Sequence, residues 1–224
     1  WVDGPHAHLR LHYISGHTRI EQTMRLTAGS PRLEVTLRTD WRERRAMLRA
    51  VFPVDVHTAE ASYEIQFGHI RRPTHTNTSW DAARHEATAH RWVDLSQRDR
   101  GLALLNDGTY GHTIKGHTIL MTLLRSVPHP GPRQLDDNAV SPDVPHPDYT
   151  DQCEHVLRYA LYPHAGDPVA CGVVQAGYAF NNPLRILAPE GFTPKAATVS
   201  SGPVQWSFED RVLTLRFAVG APAP

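Results

Sequence analysis

Apolar and polar residues alternate with a period of two along most of this chain, and that pattern limits what it can fold into. Leu9, Leu11 and Tyr13 are interleaved with His8, Arg10 and His12, and Leu33, Val35 and Leu37 with Glu34, Thr36 and Arg38. The same rhythm runs through Tyr63, Ile65 and Phe67, through Leu157, Tyr159 and Leu161, and through Leu213, Leu215 and Phe217. Successive side chains of a strand point to opposite faces, so each run makes a strand with one face on a core and one in water. No window of similar length shows a 3.6-residue period. The best helical stretch, 43–50, is short and is followed by Pro53. The chain reads as all-β.

Turn signals punctuate these runs at Ser15-Gly16, Gly29-Ser30-Pro31, Asn106-Asp107-Gly108, Lys115-Gly116 and Asn181-Asn182-Pro183. Many short strands with such punctuation predict an antiparallel sandwich. The Asn106-Asp107-Gly108 turn is expected to join 102–105 to a next segment and then to 119–124, as a meander. Residues 127–150 differ. Prolines at 128, 130, 132, 142, 145 and 147 and aspartates at 136, 137, 143 and 148 rule out a central strand, since proline donates nothing to a ladder. Residues 71–94, rich in Trp, His, Arg and Asp, read as a large ordered excursion. Charge thins out after Asp167-Pro168. The expected division is a main sandwich at 1–167 and a small C-terminal β module with a flexible tail at 168–224.

Composition removes several function classes. Lys+Arg and Asp+Glu are both 23, so the net charge is zero and the basic surplus of a nucleic-acid or anionic-membrane binder is missing. No apolar run is long enough for a membrane helix, and no leader-like segment opens the chain. The chain starts at Trp1 rather than Met, and a piece of a longer protein is expected. All basic residues but Lys115 and Lys195 are Arg, as a GC-rich bacterial genome would give. Cys153 and Cys171 show no CxxC spacing, so two free thiols in a cytoplasmic protein are expected, a single bridge being the other reading. The 15 histidines raise the question of a metal. The pairs His6/His8, His85/His90 and His112/His117 reproduce no strong zinc spacing. No Gly-x-Ser-x-Gly elbow, P-loop or GxGxxG is present. The carboxylate pairs Asp136/Asp137 and Asp151/Glu154 do not by spacing establish a glycosidase pair.

Two constellations stand out. One runs from Phe67 through Arg72, His75 and Trp80 to Asp81; the other is Asp151-Gln152-Cys153-Glu154-His155, leading to Tyr162-Pro163-His164. Aromatic faces beside Arg, Asp and His suit a carbohydrate surface. A buried polar network that fixes a loop fits the same residues equally.

These residues also carry a resemblance. Residues 67–86 with 90–96, Asp40-Trp41-Arg42-Glu43-Arg44 leading into 51–54, residues 101–107 with Tyr110-Gly111, Leu123-Leu124-Arg125 and residues 151–164 together resemble the C-terminal β region of the family 38 α-mannosidases. The match covers about residues 1–187 in the family's order. It implies a β supersandwich of the galactose-mutarotase type with smaller β modules. It also implies an N-terminal α/β barrel as partner in the same polypeptide. That barrel would carry a zinc ion held by His and Asp, an Asp nucleophile and a carboxylic acid/base, for retaining hydrolysis of terminal α-mannosides. No segment supplying those groups is in this chain, so it is expected to hold no catalytic residue and no metal or cofactor, and to be inactive alone.

By motif position the resemblance makes Arg125 the first candidate for the sugar site or its rim, with Asp151, Glu154 and His155 second; Arg72, His75 and Trp80 complete the set. Partners so implied are the barrel and a mannose-containing oligosaccharide, with no nucleic acid and no membrane; assembly with further copies stays open. The family usually has Gly where Cys153 stands, which bears on the backbone there because Gly tolerates φ > 0. After about residue 188 the family's closing motifs are not found. Two other readings are a stand-alone carbohydrate-binding sandwich and a His-based metal protein.

Overall fold

The computed structural model describes residues 1–129 and 148–183, together with the backbone of three strands at 198–199, 202–209 and 212–217. The first strands are β1 (Val2–Asp3), β2 (His6–Ser15), β3 (Thr18–Thr27), β4 (Leu33–Asp40), β5 (Met47–Pro53), β6 (Glu60–Ile65) and β7 (Gly68–Pro73). A short helix α1 (Ser79–Ala83) precedes β8 (Ala87–Thr88), β9 (Trp92–Ser96), β10 (Gly101–Asn106), β11 (Gly111–Lys115) and β12 (Thr118–Arg125). Then come β13 (Pro128–His129), β14 (Asp148–Tyr149), β15 (Glu154–His164), the helix α2 (Val173–Asn181), and β16 (Thr198–Val199), β17 (Gly202–Glu209) and β18 (Val212–Phe217).

All strand pairs are antiparallel. Nine strands form one sheet in the order β1-β2-β3-β4-β15-β10-β9-β6-β7, and four form a second in the order β5-β12-β11-β8. Their inner faces share one core, in which Val35, Leu37, Val93, Leu95, Leu104 and Tyr159 meet Ile114, Ile119, Met121 and Leu123. This is a β-sandwich, as the alternation predicts. The buried Tyr63 hydroxyl links the layers by accepting the Ile114 backbone N–H at 3.0 Å. Burial pushes its pKa up to about 12, so it stays protonated.

Part of the outer face of the large sheet is covered too. Alternate residues of β9, β10 and β15 point away from the second sheet, and Trp92, Ala103, Leu105 and Ala160 pack against Val173 and Phe180 of α2. A Cβ on Gly177 would lie 3.0 Å from Trp92 Cδ1, so a larger residue there would press α2 and the indole apart. Arg91 stacks 3.6 Å from the Tyr178 ring centroid and pairs with Glu64 at 2.7 Å.

Residues 43–50 hold no helix, in keeping with the all-β reading, and Met47–Pro53 is strand β5, paired with β12 along its length. Four sequence expectations do change. The meander is replaced by a crossing: β10 lies in the large sheet and β11 in the small one. Buried Asn106 holds that crossing, donating to His90 O at 2.8 Å and accepting from Thr109 N at 3.1 Å. Phe67 is no strand residue but an exposed turn residue with φ 65° between β6 and β7, and Glu64, read as wet, is buried on Arg91. The segment from 168, expected to be β, begins with helix α2. Most of the proline-rich stretch, residues 130–147, lies outside the described residues. Its flanks pair through Pro128↔Tyr149 and His129↔Asp148.

His112 is fully buried, with Nδ1 on Tyr110 O at 3.0 Å. Burial, only partly offset by that carbonyl and by Glu86, lowers its pKa to about 4. The folded state therefore keeps it neutral while the unfolded chain, near 6.5, takes up a proton. Stability from this residue is complete above about pH 6.5 and falls as pH drops toward 4. We expect the melting temperature to decline over that window, and His112→Gln to flatten the decline in a pH series of thermal melts.

Candidate functional site

Arg125 and the 151–155 stretch converge at one end of the sandwich, where the chain passes from β4 to β5, leaves β12 and enters β15. Trp41, buried, donates its indole N–H to Ser126 Oγ. Gln152 Nε2 reaches the same hydroxyl at 3.2 Å and Glu43 O at 2.6 Å. Ser126 N donates to Ala46 O at 2.9 Å, and Trp41 N to Cys153 O at 3.0 Å. Glu43 turns back to the β2–β3 hairpin, where its Oε1 accepts His17 N and Thr18 Oγ1, each at 3.0 Å. Gly16 has φ 57°, and a Cβ on it would lie 2.6 Å from that carboxylate.

Arg125 is the last residue of β12. Its carbonyl accepts from Thr150 Oγ1 at 2.8 Å, and its register partner is Met47. The side chain is exposed, without a hydrogen-bond or ion-pair partner among the described residues. It borders a groove of about 380 Å³ with Arg45, Met47, Val127 and Pro128. Asp151 and Glu154 are exposed, and His155 Nε2 contacts Asp151 O at 2.8 Å. Glu154 and His155 line a neighbouring cleft of about 440 Å³ with Tyr13, Arg38 and Asp40. The left-handed residues here are Arg45 (φ 51°) and Asp151 (φ 63°); Cys153 has an ordinary backbone, so the expected cost of cysteine in place of glycine does not arise.

Arg72, His75 and Trp80 lie elsewhere. Arg72 sits 5.6 Å over the Tyr63 ring, and His75 Nδ1 is 3.6 Å from Asp81. Thr78 and Asp81 form a reciprocal cap on α1, and the Thr78 hydroxyl leads in lowering the Asp81 pKa. Trp80 is 84% exposed. His75 borders a cleft of about 550 Å³ with Glu60, Arg71, Asp94, Ser96 and Gly166, at the His164 end of β15. A strand rises about 3.3 Å per residue, so the eleven residues of β15 hold the two groups roughly 30 Å apart. The seven candidates therefore fall into two separate groups.

Residues 1–133 match the glycosyl hydrolases family 38 C-terminal domain. The chain belongs to that family. It is 40% identical to human alpha-mannosidase 2C1 over 210 residues, which is 94% of this chain and 17% of that protein. It is 40% identical to Dictyostelium discoideum alpha-mannosidase G over 168 residues, 75% of this chain and 14% of that one. Among solved structures, a protein in the glycosyl hydrolase family 38 from Enterococcus faecalis superposes with a TM-score of 0.63 at 18% identity, over 88% of this chain and 23% of that one. The family 38 chain thus spans about a sixth of its curated relatives.

The alternation could not show Trp41, Ser126 and Gln152 as one network, because 85 and 26 residues separate the bonded pairs. Nor could it show Asp94, His164 and Cys171 in contact. Among the described residues no three His, Cys, Asp or Glu side chains come together as metal ligands. Ser126→Ala should leave the buried Trp41 N–H without its acceptor and cost about 1–3 kcal/mol in chemical denaturation.

Proposed function

We propose that this chain is the C-terminal β-sandwich of a retaining, zinc-dependent α-mannosidase that hydrolyses terminal α-mannosides. It packs on the catalytic barrel of the same polypeptide, in a cytoplasmic setting, and its Arg125 end helps shape the site for a mannose-containing oligosaccharide. Support comes from relatives named alpha-mannosidase that match most of this chain while the chain spans a small part of each. The zinc belongs to the barrel in this reading, where it would supply a Lewis-acid grip on sugar hydroxyls.

The observation that carries the local role is the exposed Arg125 guanidinium on a backbone fixed from two sides. Its planar fork is suited to two sugar hydroxyls or a carboxylate. In the full-length enzyme Arg125→Ala should lower kcat/KM roughly 10- to 100-fold, the range of a charge-assisted hydrogen bond. The melting temperature should hold. A large melting shift with unchanged kinetics would assign Arg125 to structure. The purified 224-residue chain alone should release no 4-nitrophenol from the α-mannoside. A calorimetric response of that chain to millimolar mannose would instead favour a stand-alone carbohydrate-binding module.

A further inference from the structure

At the far end of β15, three side chains form a chain of contacts. His164 Nε2 lies 2.7 Å from Asp94 Oδ1, and the two side chains are 3% and 1% exposed. On the other side of the ring, Nδ1 lies 2.9 Å from Cys171 Sγ. The second carboxylate oxygen of Asp94 accepts from Ser96 Oγ at 2.6 Å. A carboxylate only accepts, so it fixes the hydrogen on Nε2 and leaves the Nδ1 lone pair facing the thiol. This is the order nucleophile, base, orienting acid.

The backbone is shaped around it. Gly101 pairs with His164 on one side and Ser96 on the other. A Cβ there would lie 2.5 Å from Ser96 Cβ and 2.8 Å from His164 Cε1. Cys171 is held on the turn before α2, its N–H at 3.0 Å and its thiol at 2.9 Å both donating to Asp167 O, and it is partly exposed. Asp94, Ser96, Gly166 and Asp167 also line the 550 Å³ cleft, whose walls carry Arg71 and Glu60. Neither Cys171 nor His164 lines that cleft, which lies beside the thiol and not over it. Burial, with Asp94 adding to it, pushes the Cys171 thiol up, so a base is needed to release its proton.

We propose that Cys171 is a thiol–disulfide exchange site for a low-molecular-weight disulfide, with His164 as its base and Asp94 as the residue that positions His164. The thiol proton leaves its bond to Asp167 O and passes to His164 Nδ1. Cys171 Sγ attacks one sulfur of the disulfide; the new S–S bond forms as the old one breaks. The departing thiolate takes the proton. Cys171 is oxidised, and one half of the small disulfide is reduced. Cys153 lies before the opposite end of β15, out of reach, so the mixed disulfide persists until another thiol arrives.

The test treats the intact polypeptide with glutathione disulfide and follows each cysteine by peptide mass spectrometry. Arg158 separates Cys153 and Cys171 into different tryptic peptides. Glutathione should add to Cys171, reversibly with dithiothreitol, and His164→Gln should slow that addition at least roughly tenfold while leaving Cys153 unaffected. If His164→Gln unfolds the protein, Asp94→Asn, which keeps the side-chain shape, takes its place. An unmodified Cys171 in the folded wild type overturns the proposal. So does an unchanged rate in a folded His164 or Asp94 variant, which would leave the three groups a structural tether for α2.

Discussion

Burial of β9, β10 and β15 on both faces is the constraint on which the rest depends. One face of these strands packs on the second sheet through Val93, Leu95, Leu104 and Tyr159. The other packs under α2 through Trp92, Ala103, Leu105 and Ala160. With both faces dry, polar groups on these strands must find partners within the protein. Asp94 does so with His164 and Ser96, and Asn106 with His90 and Thr109, whereas the buried Trp92 indole N–H has no hydrogen-bond partner among the described residues.

The same constraint sends chemistry to the strand ends. Arg125 closes β12, and 151–155 lead into β15. At those ends the backbone is rigid and side chains regain access to water, a good setting for groups that meet a ligand. Exposure there differs by residue: Ser126, Trp41 and Gln152 hold the turn from inside, and Arg125 is left outward.

Where the sequence pattern was read well, the physics was local. The runs at 33–37 and 157–161 became β4 and β15 because one inner face needs apolar residues every second position, whereas 9–13 became β2 with Leu9 and Tyr13 left exposed. Where it misled, a non-local partner decided. The turn at 106–108 crosses between sheets because β10 pairs with β9 and β15 while β11 pairs with β12. Glu64 breaks the in–out rhythm because Arg91, 27 residues on, neutralises it. Helix α2 had a readable signal in Val173, Gly177 and Phe180, but nine residues are too few to show a period. Of the seven site residues read from motif order, four gather at one end and three at another, a separation that only strand pairing defines.

The sequence alone determined that this chain builds an antiparallel β-sandwich, since period-two alternation has few other outlets, and its motifs resembled the family it belongs to. Tertiary structure decided which strands share a sheet and where the chain crosses between layers. It also decided which polar residues meet: Trp41 with Ser126, and Asp94 with His164 and Cys171. Alternation records which face a residue occupies. Contacts across 70 or 85 residues depend on register and crossing, which are set when the two layers and α2 close on one another.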